Sequence, residues 1–187
     1  MIIVDCDEVL CSTLVELVKL PEFCVDWKSF YSYSPPKAPG FSMSDDDQFL
    51  MYKKLLTSDN FWNIKPVKAF EMIKKIKEAH ELVVVTRASF VAERTKKWIE
   101  KYYPNLFSDF LFAETHTDNQ KTKAELCEEK GIEFFIEDDP YFASNLSEKG
   151  IPCALLAYPW NDSFDLKKHS NVHRIKSWDE FDMSLLS

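Results

Sequence analysis

The sequence predicts an α/β protein built on a parallel sheet with helices on both faces. Three observations carry that expectation. The chain opens on an apolar run, Met1-Ile2-Ile3-Val4, that ends in two aspartates one residue apart, Asp5 and Asp7. Further short apolar runs alternate with helix-like segments along the chain. One stretch rich in proline and aromatic residues breaks that alternation after the first run.

Each element has a local reason. Ile2, Ile3 and Val4 are β-branched, and such residues pack well in a strand covered on both faces. Residues 82–85, 110–112, 133–136 and 153–157 read as further strands. Between them, Val67, Phe70, Met72, Ile73 and Ile76 fall at near-helical spacing, as do Phe90, Val91, Trp98 and Ile99. Residues 121–130 and 140–149 read as two more helices, stopped by Gly131 and Gly150. Strands that alternate with helices in this way form a parallel sheet.

The interrupting segment, residues 12–60, contains Ser34-Pro35-Pro36-Lys37-Ala38-Pro39-Gly40 and the acidic helix start Asp45-Asp46-Asp47, with Ser44 placed as its N-cap. It predicts a small, mostly helical cap over the carboxyl end of the sheet. The core then comprises residues 1–11 and 61–187. The cap's many rings should mostly fill its own interior, because so small a unit needs them. Phe23, Trp27 and Tyr31 are the candidates to face the cleft.

Composition narrows the function. A chain of 187 residues fits one domain with a sizeable core, and 45% hydrophobic residues exclude disorder. No apolar run approaches the roughly 20 residues that span a bilayer. Met1 already opens the first strand and leaves no room for a leader, so a cytoplasmic protein without a membrane partner is expected. Cys6, Cys11, Cys24, Cys127 and Cys153 show neither a disulfide framework nor a CxxC zinc pattern, and Cys6 reads as a buried filler. Acids outnumber bases 31 to 23, a net charge of −8, which disfavours duplex nucleic acid as a partner. A small anion held by a metal and a few cations remains compatible with that charge.

Four features fall at strand ends. The first is Asp5 with Asp7: either an acidic turn, or a site for a divalent cation, since close carboxylates at the end of a buried strand are costly alone. Thr86 ends the second strand, Lys121 and Lys123 precede a helix, and Glu137, Asp138 and Asp139 end a later strand. Singly these are a helix cap, solvated lysines and an acidic helix start. Together they converge on the crevice where open α/β sheets bind ligands. Phosphoryl transfer uses such a set: a nucleophilic carboxylate, a metal, a hydroxyl and an ammonium for the phosphoryl oxygens, and a second acid for the leaving group.

The four blocks resemble the four motifs of the haloacid-dehalogenase-like (HAD) phosphohydrolase superfamily, over most of the chain outside the insertion. The resemblance implies a Rossmann-like core, with Asp5 as nucleophile and Asp7 as general acid and base. Thr86 and Arg87, with Lys123 or Lys121, would bind the phosphoryl group. Mg²⁺ would be held by Asp5, the backbone carbonyl of Asp7 and an acid of the last block, Asp138 ahead of Asp139. Phe61-Trp62-Asn63-Ile64-Lys65-Pro66 and the stretch from Gly150 to Asn161 resemble the 5′(3′)-deoxyribonucleotidase-like branch. That implies a nucleoside monophosphate whose base lies against Phe23, Trp27 or Tyr31.

Two residues depart from the pattern. Glu8 stands where much of the superfamily has glycine, and its side chain is expected to turn away from the phosphate towards the cap. Asp162 stands where the branch often has a basic residue. A sugar phosphate would use the same catalytic groups. A non-catalytic or receiver-like phosphate-binding protein is a different reading. The order of lysine before the last acids, and the presence of Asp5, Asp7, Thr86 and Asp138, argue against it. The expected partner is a small phosphorylated substrate, and the expected state is a monomer or homodimer.

Overall fold

The computed structural model describes residues 1–23, 25–33, 36–86, 89–112, 125 and 129–186. Strand β1 (Ile2–Asp5) is buried along its whole length. The following segment holds helix α1 (Thr13–Leu17), a small antiparallel sheet of β2 (Ser32–Tyr33), β3 (Pro36–Ala38) and β4 (Phe41–Ser42), and helix α2 (Asp45–Thr57). The chain continues through α3 (Phe70–Lys77), β5 (Leu82–Thr86), α4 (Ala92–Tyr102), β6 (Asp109–Phe112), β7 (Phe134–Glu137), α5 (Pro140–Glu148), β8 (Cys153–Leu156) and β9 (Val172–Ile175). No helix among the described residues is long and apolar enough to cross a membrane.

The main sheet is parallel throughout, in the order β6-β5-β1-β7-β8-β9. Alternate residues of its central strands point to opposite faces and feed two apolar layers. Ile2, Val4, Val84 and Ile136 pack with Ile73 and Ile76 of α3 and Trp98 and Ile99 of α4. Ile3, Val83, Val85 and Phe135 pack on the other side with Ala143 and Leu146 of α5. Burial on both faces explains why these strands read as unbroken apolar runs. From β1 the chain moves outward to β5 and β6, then crosses to β7 on the other side of β1. Such a reversal opens a crevice at the carboxyl ends of the strands. Asp5 lies level with Val85, and Val4 with Ile136, so Thr86 and Glu137 end their strands beside Asp5.

Two parts of the fold exceed the sequence expectation. Strand β9 buries Val172 and Ile175 at its ends, with His173 exposed and Arg174 half-buried between them. An edge strand of that kind lacks the continuous apolar run that marks its neighbours. The cap is mostly helical as expected but also carries the β2–β3–β4 meander. Pro39 and Gly40 turn β3 into β4, and Gly40 has φ +72°, the conformation that the third position of a type II turn requires. The Ser44 side chain accepts the Asp47 N–H and caps α2. Gln48 Nε2 donates to the Tyr33 carbonyl at 2.9 Å, which fastens α2 to the meander.

The loop after β1 is tied down from two directions. The Tyr103 hydroxyl donates to the Leu10 carbonyl at 2.8 Å and reaches the Val67 carbonyl at 3.2 Å. Trp178 Nε1 donates to the Val9 carbonyl at 2.9 Å. These buried donors satisfy carbonyls that the sheet cannot. Tyr103→Phe should therefore lower stability by about 0.5–1.5 kcal/mol, since it removes a buried hydrogen bond and keeps the ring, while the Leu10 carbonyl retains the Val67 N–H. An unchanged urea midpoint would show that this tie does not hold the loop.

Candidate metal and phosphoryl site

Asp5, Glu137 and Asp138 are all buried, and each offers a carboxylate oxygen within 4.8 Å of the others. Parallel pairing creates this meeting, because β1 and β7 end side by side. Glu137 is set by its own backbone: the N–H groups of Asp138 and Asp139 both donate to Glu137 Oε1 at 3.2 Å. Asp138 is held by the loop after β8. Trp160 Nε1 donates to Asp138 Oδ2 at 3.1 Å, and Asn161 Nδ2 donates to the Asp138 carbonyl at 2.8 Å. Burial pushes the Asp138 carboxyl well above the usual carboxylate range, and the charges of Glu137, Asp5, Asp139 and Glu8 push it further. A divalent cation reverses that cost. An all-oxygen, carboxylate-rich donor set fits Mg²⁺ better than a soft or nitrogen-seeking metal.

The cluster contains Asp138, the acid expected ahead of Asp139. Asp139 does not join it. Its carboxylate accepts the Tyr141 N–H at 2.8 Å and caps α5, whose first residue is Pro140. The N-cap position explains why this acid turns back along the chain. Glu137, which the sequence did not assign to the metal, joins Asp5 and Asp138. Its level with Asp5 follows from the β1–β7 register, which spacing along the chain does not reveal.

Asp7 sits to the other side, half-buried. Thr13 Oγ1 donates to Asp7 Oδ1, and the Cys11 thiol lies 3.9 Å from the same oxygen. Asp7 and the buried Thr86 line one cavity with Cys6, Cys11, Thr13, Leu56, Phe61, Ile64, Thr95 and Trp98. Cys6 is indeed a buried neighbour of the strand end. Arg87, Lys121 and Lys123, the other phosphoryl-binding candidates, lie outside the described residues.

The cap candidates divide. Phe23 is buried against Phe41, ring centres 5.6 Å apart, inside the cap's own core, so it does not face the cleft as expected. Tyr31 is 61% exposed. Trp27 meets the edges of Tyr158 and Trp160 at 6.3 and 6.4 Å, at the seam between cap and core. Asp162 pairs with Arg174 of β9, and Arg174 Nε also donates to Asn161 Oδ1 at 3.1 Å. A basic side chain therefore reaches this loop from the edge strand rather than from the loop itself.

The Glu8 side chain reaches towards the cap, the direction expected of it. Its φ is +59°. The side chain accepts the Leu14 N–H at the start of α1, while its carbonyl accepts the Tyr158 hydroxyl at 2.7 Å. Those bonds hold a non-glycine residue in a left-handed conformation that otherwise costs free energy.

Comparison with family models and with curated proteins finds no match. Comparison with solved structures does. A haloacid dehalogenase-like hydrolase family protein from Streptococcus pneumoniae aligns over 94% of this chain and 93% of its own, at TM-score 0.66 and 14% identity. A protein described as a phosphoglycolate phosphatase, from Lactobacillus delbrueckii subsp. bulgaricus, covers 100% and 98%, at TM-score 0.64 and 12% identity. CbbY from Rhodobacter sphaeroides, solved with xylulose-(1,5)bisphosphate, covers 100% and 98%, at TM-score 0.60 and 11% identity. The chain thus has the haloacid-dehalogenase-like fold. These likenesses do not single out the nucleotidase branch.

Glu8 supplies a pH test of the site. Burial raises its pKa from 4.5 to about 8, opposed by the Leu14 N–H and reinforced by Asp7 and Asp5. A carboxyl whose folded pKa exceeds its unfolded one binds more protons when folded. Stability of the metal-free protein should therefore fall as pH rises from about 4.5 to about 8, and level off above. The slope from this group is at most about 1.4 kcal/mol per pH unit. Glu8→Gln should flatten that decline in melts recorded with EDTA. An equally steep decline in the variant would assign the dependence elsewhere.

Proposed function

We propose that this chain is a Mg²⁺-dependent phosphomonoesterase acting through an aspartyl phosphate on Asp5. One observation carries the reading. The crevice at the end of β1 gathers the Asp5–Glu137–Asp138 carboxylates on one side and the Asp7–Thr86 cavity on the other. The fold likeness supports it as analogy, since a fold hosts many functions.

The chain's own groups supply the steps. An Asp5 oxygen attacks phosphorus, and the ester P–O bond breaks. Asp7 gives its proton to the departing oxygen, then takes one from the water that attacks the aspartyl phosphate and releases Asp5. Thr13, bound to one Asp7 oxygen, fixes the acid so that its other oxygen carries the proton. Thr86 offers a hydroxyl to the phosphoryl oxygens. Asp5, Glu137 and Asp138 would hold Mg²⁺, which would supply positive charge to offset that of the carboxylate and the phosphoryl group.

The substrate reading is a nucleoside monophosphate. The described residues lining the cavity beside Asp7 include Leu56, Phe61, Ile64 and Trp98 and no basic residue. That lining offers a second anion no partner, and rings on which a base could stack stand at the seam of cap and core, Trp27 beside Tyr158 and Trp160. Base stacking on a ring contributes roughly 1–3 kcal/mol, about one to two powers of ten in preference. A sugar phosphate stands second, supported by the sugar bisphosphate held by CbbY.

Phosphate release should be measured on nucleoside monophosphates, sugar phosphates, phosphoglycolate and p-nitrophenyl phosphate, with Mg²⁺ and with EDTA. Nucleotides should lead, phosphoglycolate should trail, and EDTA should abolish all activity. Asp5→Asn should fall to background with the fold intact by circular dichroism, because an amide neither attacks phosphorus nor ligates well. Activity in a folded Asp5→Asn protein contradicts the mechanism. Sugar phosphates ahead of nucleotides select the second reading.

A further inference from the structure

We propose that Trp160 is a positioning residue for the metal ligand Asp138, and that through it the seating of the cap sets the metal affinity. The inference rests on the metal-dependent reading above. Its basis is a continuous set of contacts from the cap to one carboxylate oxygen.

Trp160 is 3% exposed, in a 3-10 turn, Pro159–Asn161, just after β8. Its indole N–H donates to Asp138 Oδ2 at 3.1 Å. A carboxylate pinned by one oxygen presents the other in a fixed direction. Asn161 fixes the same residue's backbone, donating to the Asp138 carbonyl and, at 2.6 Å, to the Leu156 carbonyl.

The indole ring is itself held from the cap. Tyr158 stacks on it at 4.5 Å with 5° between planes. Tyr33 of β2 lies 5.1 Å away and tilted, and Trp27 meets its edge at 6.4 Å. Tyr33 also shares a hydrogen bond with Tyr52 of α2. A cap displaced from the core leaves the indole without two of its packing partners and loosens the N–H that holds Asp138. Residues that orient a metal's ligands typically alter metal affinity by about 10–100-fold when replaced.

The test is Mn²⁺ binding to the metal-free, full-length protein, followed by the electron paramagnetic resonance signal of free Mn²⁺, with no substrate present. Unmodified protein should bind one Mn²⁺; failure to bind overturns the metal-dependent reading itself. Trp160→Phe keeps a ring in the stack and removes the N–H. It should weaken Mn²⁺ binding by roughly tenfold. Combined with Asp138→Asn it should weaken binding no further than Asp138→Asn alone, because both act on one ligand. Unchanged affinity in folded Trp160→Phe, or additive losses, would overturn the positioning role. Trp27→Ala leaves the Trp160 N–H in place and reads the cap's share, also where the phenylalanine variant folds poorly. A severalfold loss of Mn²⁺ affinity is expected. Affinity equal to the unmodified protein would refute the coupling.

Discussion

Three carboxylates, Asp5, Glu137 and Asp138, meet in a buried setting where their charges repel. The rest of the site depends on that constraint. Water does not screen them, and moving charges out of water is expensive unless opposite charge compensates. The sheet creates the crowding by ending β1 and β7 at one level. Rigid strands, buried on both faces, keep the carboxylates from drifting apart. A cation of suitable hardness converts the repulsion into a binding site.

The surrounding hydrogen bonds serve the same end. Backbone N–H groups hold Glu137, an indole and an amide hold Asp138, and a threonine hydroxyl holds Asp7. Each donor fixes the direction of an acid that would otherwise rotate away from its neighbours. Glu8 extends the arrangement to the cap. A glycine at this position would relieve the backbone, but only a side chain can reach the N–H of Leu14. Tyr158 then bonds the Glu8 carbonyl and stacks on Trp160, so the motif loop, the cap and the Asp138 contact share one ring.

Much of this was legible in the sequence. The doubly covered strands β1, β5, β7 and β8 announce themselves as unbroken apolar runs, and the caps and glycines around the helices mark their ends. Asp5, Asp7, Thr86 and Asp138 stand out because each follows such a run. What was missed depends on pairing across the chain. That Glu137 meets Asp5 beside Asp138 follows from strand register, and Asp139 turns back to cap a helix. Phe23 and Trp27 are both aromatic residues of the cap, yet one fills its interior and the other meets the core. Composition does not distinguish them. Strand β9 and its Arg174 were missed because two polar residues, His173 and Arg174, split its short apolar run.

The proposed function turns on Asp5 acting as a nucleophile towards phosphorus, with the carboxylate cluster holding its cation. Acid-quenching the protein during turnover and mapping the phosphoryl group by mass spectrometry tests this directly. With Mg²⁺, one phosphoryl group should be found on Asp5 and be removed by hydroxylamine, as an acyl phosphate is. With EDTA none should form. Phosphate released steadily with no phosphoryl group on Asp5, or the group found on another residue, would contradict the account.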